Sequence, residues 1–359
     1  LKLFAWDSRC QFEFVFLMLG LGHLAEERDC SAESTRSLLK AARGFDTATS
    51  TRDVLQLHSK KSSSVATLLP SASGLCARPS SCCSSRVLLV LSLPCIAYVV
   101  LIPVAFLITR VLMYPGVSQA TPADFFEKCT SCELFEFPSR TGDRLPALRV
   151  GRNDSDSVPV ILLGGNNMTM YYTLRKLKVL LPSDGRWQVY SVAYPGFAPR
   201  SGSMNEETTV QDVTDLLMYV RQSTGKSSVI VGWSLGAAVA AATAEATPNA
   251  TRCVVMGNPF TNMWHMGVRY SRGWLAPWVY VSDRWRTEDA ATRIWNPTIV
   301  PSSTEDELIP NGMHDKVFQS VASPLKLRIE AAGDHMDVGS FAGNRIDSPL
   351  SLAIKRWCM

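Results

Sequence analysis

Apolar positions fall in short runs separated by turn residues over the C-terminal two thirds of the chain. Val158–Leu163 is apolar throughout and reads as a central strand, because a strand covered on both faces shows no polar alternation. Glu133–Pro138 alternates and reads as an edge strand, with Leu145–Val150 returning after a Ser139–Arg144 turn. Trp187–Ala193, Val229–Val231, Cys253–Met256, Thr298–Pro301 and Leu325–Ile329 read as further strands. Between them lie helical segments. Over Thr208–Gln222, Val210, Val213, Leu216, Leu217 and Val220 recur at helical spacing; Ala237–Ala246 is mostly alanine; Asn311–Val321 and Pro349–Trp357 also read as helices. Strands alternating with helices imply an α/β domain. Its central sheet is mostly parallel, with right-handed crossovers, helices on both faces and ligands at the carboxyl ends of the strands.

The N-terminal third is patterned differently. Residues 1–86 show no domain-like periodicity, and 48–86 are rich in Ser, Thr and Ala with a few basic residues. That composition reads as a disordered, weakly basic segment, with a transit peptide as the alternative. Val87–Thr109 is a run of 23 residues without a charge, bracketed by Arg86 and Arg110. At about 1.5 Å per residue it is long enough for a bilayer core, so a single transmembrane helix is expected over 87–113. The basic residues before it favour a cytosolic N-terminus. Three sequons, at Asn153, Asn167 and Asn249, suit a lumenal or extracellular domain, although a glycan on Asn167 would obstruct the site proposed below. The catalytic-type domain is expected over 125–359. Within it, an aromatic insert at about 261–294 holds Trp264, His265, Tyr270, Trp274, Trp278, Tyr280 and Trp285.

The net charge of +4 is too small and too scattered for a nucleic-acid partner. The first hundred residues carry six of the ten cysteines, which is not a disulfide-scaffold pattern. Cys76, Cys82, Cys83 and Cys95, near the apolar run, are equally open to S-acylation or to remaining free thiols. Cys129-Thr-Ser-Cys132 has no second pair, so a local disulfide or free thiols are expected rather than zinc.

The chemistry centres on Gly232-Trp233-Ser234-Leu235-Gly236, which joins a β-branched strand to a small-residue helix. A G-x-S-x-G in that setting holds its serine on a sharp turn at the head of a helix. Ser234 is the expected nucleophile, and the N–H of Leu235 one oxyanion donor. The bland alternative is a tight turn whose small residues only allow close packing. A serine nucleophile needs an imidazole to take its proton and a carboxylate to orient that imidazole. Three histidines follow Ser234, at 265, 314 and 335. His335 lies on a loop just after a strand and is the expected base; His314 falls in a helix and His265 in the aromatic insert. The acid is expected in Thr304-Glu-Asp-Glu-Leu-Ile-Pro310, with Asp306 chosen and Glu305 next, although such a charged loop is also an ordinary solvated face. Gly164-Gly165-Asn166-Asn167 follows a central strand, so the N–H of Asn166, or else of Asn167, is the expected second oxyanion donor. Trp233, Trp264, Trp274 and Trp278 are the candidate substrate-binding aromatics; the insert reads as a cap, ordinary core or a membrane-surface belt.

Together the G-W-S-L-G at 232–236, Thr304–Pro310, Gly333-Asp-His-Met-Asp337 and Tyr194-Pro-Gly-Phe197 resemble the α/β-hydrolase-domain proteins. The likeness is to the membrane-anchored branch of single-span hydrolases and protein depalmitoylases, and it covers residues 130–357. It implies an α/β-hydrolase fold, a nucleophile, acid and base at Ser234, Asp306 and His335, and hydrolysis of an ester, thioester or amide. The family commonly has His-Gly-x at the oxyanion loop, where this chain has Gly164-Gly165-Asn166. The expected protein is a membrane-anchored serine hydrolase acting on an acyl lipid or an S-acylated protein, with no metal or cofactor. A serine peptidase of the same fold and a non-catalytic, membrane-tethered binding module are the alternatives.

Overall fold

The computed structural model describes residues 104–118, 124–151, 154–183, 186–273, 276, 283–342 and 348–359. The chain divides into two compact units, Leu1–Arg78 and Pro79–Met359, and every described residue belongs to the second. The segment expected to be disordered, residues 1–86, and most of the expected membrane span lie outside the described residues. The end of that span, 104–113, is a helix, α1. No helix among the described residues is long and apolar enough to cross a membrane.

Eight strands form one sheet. In chain order they are β1 (Cys132–Pro138), β2 (Arg144–Val150), β3 (Val158–Leu163), β4 (Trp187–Val192), β5 (Ser228–Trp233), β6 (Thr251–Gly257), β7 (Thr298–Ser303) and β8 (Lys326–Ala331). The spatial order is β1-β2-β4-β3-β5-β6-β7-β8. β1 and β2 are antiparallel and every pair from β4 to β8 is parallel. This is the α/β-hydrolase fold expected above. It places the carboxyl ends of β3, β5, β7 and β8 on one edge.

The helices after α1 are α2 (Phe125–Lys128), α3 (Met170–Leu177), α4 (Glu206–Thr224), α5 (Leu235–Ala246), α6 (Met263–Ser271), α7 (Thr287–Ala291), α8 (Asn311–Ser320) and α9 (Pro349–Cys358). They cover both faces of the sheet. Alternation along buried strands sends Ile161, Leu163 and Ile230 into one core with α4, α5 and α8, and Val160, Leu162, Val229 and Val231 into the other with α3 and α9. Val229, Ile230 and Val231 are fully buried, each contributing about 1.5–3 kcal/mol of apolar transfer. α4 starts at Asn205, whose side chain accepts from Thr208 N–H, carries Glu206 and Glu207 in its first turn, and stops at Gly225 with φ 71°. α3 has no counterpart among the elements expected from the sequence, because its polar positions Thr173, Arg175 and Lys176 interrupt the apolar run.

The packed body begins before Phe125. Met113 and Tyr114, from α1 and the turn after it, lie in the same core as α4 and α5. Arg110 pairs with buried Asp283 at 2.9 Å, and the Tyr114 hydroxyl donates to the same carboxylate at 2.7 Å. Cys129 pairs with Cys132, and Cys253 of β6 pairs with Cys358 of α9. The second pairing was not expected, since those two positions are 105 residues apart.

Candidate active site

The site grows from the turn between β5 and α5. Ser234 has φ 56°, a conformation that side-chain-bearing residues rarely adopt. The turn is so tight that a Cβ on Gly232 would sit 2.0 Å from the Gly236 carbonyl oxygen, and one on Gly236 2.0 Å from that of Leu163. Only glycine fits either position. Ser234 occupies the N-cap of α5, yet its hydroxyl makes no capping bond. It lies 2.9 Å from His335 Nε2 instead, and His335 Nδ1 lies 2.7 Å from Asp306 Oδ2. Oδ1 of Asp306 accepts the N–H groups of Leu308 and Ile309 at 2.9 and 2.8 Å. Three residues from the turn after β5, the loop after β7 and the loop after β8 thus form one hydrogen-bonded chain. With Nδ1–H donating to the carboxylate, Nε2 is left as the acceptor for the serine proton.

The histidine is anchored through its backbone. Its carbonyl accepts from Trp233 Nε1 at 2.9 Å and from Asn258 Nδ2 at 3.1 Å. Asn258 also bridges to Ser303, accepting its N–H at 2.8 Å and donating to its hydroxyl at 3.0 Å. Asn258 is fully buried at the carboxyl end of β6 with φ 44°. Sequence reasoning passed it over; the Asn-Pro pair at a strand's end was the one available signal. The expectation that Trp233 binds substrate is corrected here. Trp233 is fully buried, packs edge-on against Phe341 and spends its indole N–H on the His335 carbonyl.

Opposite the serine runs the Gly164–Asn167 loop. A Cβ on Gly165 would come 3.5 Å from Ser234 Cβ, so the loop passes directly over Ser234. Gly165 O accepts from Met168 N–H, and Asn166 O from Gly116 N–H, both at 3.1 Å. In a trans peptide the N–H points opposite the preceding carbonyl, so anchoring Gly165 O sets the direction of the Asn166 N–H. The Tyr194 hydroxyl donates to Gly164 O at 3.2 Å. Burial raises that phenol far above its ordinary range and keeps it a donor. Leu235 is the first residue of α5, where an N–H has no intrahelical partner. Asn167, the alternative donor, is exposed.

The remaining candidates separate. Glu305 is exposed, with its N–H donating to Gly333 O. His265 is on α6, its Nδ1 2.7 Å from the Thr261 hydroxyl. His314 is fully buried on α8, its Nε2 3.6 Å from Asp306 Oδ2. Trp264 is 41% exposed on α6. Trp274 and Trp278 lie outside the described residues. α6 is fastened to the acid loop by Arg269 and Tyr270, which donate to the carbonyls of Glu307 and Leu308 at 2.7 and 2.6 Å. Among the described residues no cluster of His, Cys, Asp and Glu suits a metal ion.

Fold and site together define an α/β-hydrolase scaffold, and residues 158–294 match the family model described as alpha/beta hydrolase fold. The chain is similar to alpha/beta hydrolase domain-containing proteins. It is 23% identical to WAV2 of Arabidopsis thaliana over 62% of this chain and 78% of that protein. It is 31% identical to human ABHD12B over 33% of each chain. Among solved structures, the esterase Pf2001 of Pyrococcus furiosus superposes with a TM-score of 0.53 at 17% identity, over 67% of this chain and 95% of that one.

Proposed function

We propose that this protein is a membrane-anchored serine hydrolase that cleaves acyl esters or thioesters through an acyl-serine intermediate. The carrying observation is the chain from Ser234 Oγ through His335 to Asp306, at 2.9 and 2.7 Å. His335 takes the hydroxyl proton as Ser234 attacks the acyl carbonyl, and Asp306 stabilises the imidazolium. The N–H groups of Leu235 and Asn166 receive the developing oxyanion. His335 then protonates the leaving alcohol or thiol, and the acyl-enzyme is released by water that the same imidazole activates.

The surroundings support an acyl substrate. Trp264 and Val268, one turn apart on α6, are 41% and 42% exposed, and Met336, beside the base, is 40% exposed. α6 is fastened to the loop of Asp306 and Met336 follows His335 in sequence, so each exposes apolar surface of the kind a fatty acyl chain uses on a segment that carries or adjoins the site. Membrane anchoring is supported by the uncharged run Val87–Thr109 and by its described end, where Val104, Phe106, Leu107 and Val111 are exposed on α1. A lumenal or extracellular catalytic domain is supported by the basic residues before that run, the exposed sequon residue Asn249 and the two cysteine pairs.

The test is fluorophosphonate labelling of the full chain in membranes, for wild type and Ser234→Ala. Labelling of the wild type alone is the expected result. A folded, membrane-bound wild type that stays unlabelled sinks the hydrolase reading and leaves a binding module.

A further inference from the structure

A second set of hydrogen bonds ties the loop of Asp306 to α8. Asn311 Nδ2 donates to Thr304 O at 2.9 Å. A backbone carbonyl can only accept, so this bond sets the orientation of the amide. Asn311 Oδ1 is thereby turned to His314 Nδ1, 3.1 Å away, and Nδ1 must carry the hydrogen. In the neutral ring that leaves Nε2 with a lone pair. Nε2 is buried, makes no hydrogen bond among the described residues, and faces Asp306 Oδ2 at 3.6 Å. Two acceptors confront one another in the interior.

We propose that His314 is a positioning residue for the Ser234–His335–Asp306 triad: with its Nδ1–H spent on Asn311, it turns an acceptor rather than a donor toward Asp306 Oδ2, which keeps the charge of that oxygen for His335. The inference rests on the hydrolase reading above and assigns a role to a buried side chain that the reaction does not otherwise use. A donor at this place would share the carboxylate, and His335 would feel less of its charge. Burial supports the arrangement by holding His314 down to about 4, so the ring is neutral near pH 7. The groups facing His314 are Asp306 from the acid loop, His335 from the loop after β8, and Arg328 of β8, which pairs with Asp315 and Glu330. Tyr270 of α6 reaches the same loop, with its hydroxyl on Leu308 O.

The closing experiment uses the full chain in detergent-solubilised membranes, a p-nitrophenyl acyl ester and pH profiles of kcat and kcat/KM. His314→Gln places a side-chain N–H donor against Asp306 Oδ2. The expected result is a fall in kcat of about fivefold or more, KM within about twofold, and an acid limb of kcat/KM moved to lower pH by roughly half a unit. Asn311→Ala, at the half-buried start of α8, removes the acceptor that fixes the tautomer. It is expected to move the limb in the same direction by less, and it decides the question alone if His314→Gln does not fold. An unshifted acid limb in the folded variants overturns the role of His314, because a packing role would change stability without changing protonation at His335. Wild-type protein that neither labels with fluorophosphonate nor turns over ester removes the hydrolase reading itself, a distinct outcome.

Discussion

Two regions hold the same edge of the sheet in opposite ways. The segment around Ser234, 228–246, is one contiguous strand, turn and helix without a charge on the strand or turn, and it works by close approach of backbone to backbone. The region around Asp283 is assembled from three distant parts of the chain and works by charge. Oδ2 of Asp283 accepts from Arg110 and Tyr114, and Oδ1 from the Glu206 N–H at 2.7 Å. Trp285 Nε1 donates to the Tyr114 hydroxyl at 2.8 Å, while Glu206 Oε2 accepts the N–H groups of Arg284 and Trp285 at 2.7 and 2.9 Å. Two residues beyond Tyr114, Gly116 reaches Asn166 of the loop over the serine. A local sterically fitted element has no way to accommodate an added atom. A polar hub tolerates shape changes but not an unpaired charge.

That contrast is open to direct attack. The largest effect is expected from Gly236→Ala, because the added methyl meets the Leu163 carbonyl at 2.0 Å and no flexible side chain can move aside. Soluble yield and thermal melting should show loss of the native fold; a folded, active variant would mean that the turn is not sterically closed. Next is Asp283→Ala, which leaves Arg110, 17% exposed at its side chain, and two further donors without their carboxylate. A loss of about 3–5 kcal/mol in urea unfolding is expected, and a loss under about 1 kcal/mol would reduce the hub to a surface contact. The smallest is Tyr114→Phe, which keeps the ring but removes the hydroxyl between Asp283 and Trp285. It should cost about 1–3 kcal/mol, because the Trp285 N–H is left buried and unpaired. The same unfolding curves measure it.

These regions also differ in how far the sequence revealed them. The elbow was legible because its strand, turn and helix are consecutive, and each is read from local steric preference. All eight strands were legible from apolar runs, as was the Asp306 loop from its place after a strand. The order β2-β4-β3 was not, since pairing across the sheet depends on contacts between distant segments. The role of Trp233 was misread because residue type alone does not say which way an elbow side chain points. Asn258 and Cys358 gained meaning only from neighbours far along the chain, and His314 only from the way the Asp306 loop folds back on α8.

By itself, then, the sequence determined the α/β alternation, the strained turn at Ser234 and the residue types able to complete its chemistry, all of which follow from backbone sterics and short-range periodicity. The tertiary structure alone decided which carboxylate meets His335, which carbonyls hold the loop over the serine, and that a second buried imidazole faces Asp306. The first two join segments well apart in the chain, Asp306 to His335 at a separation of 29 and Tyr194 to Gly164 at 30, and the third depends on how the loop after β7 folds back on α8. Only the packed core brings such segments to one edge and excludes the water that would otherwise satisfy them.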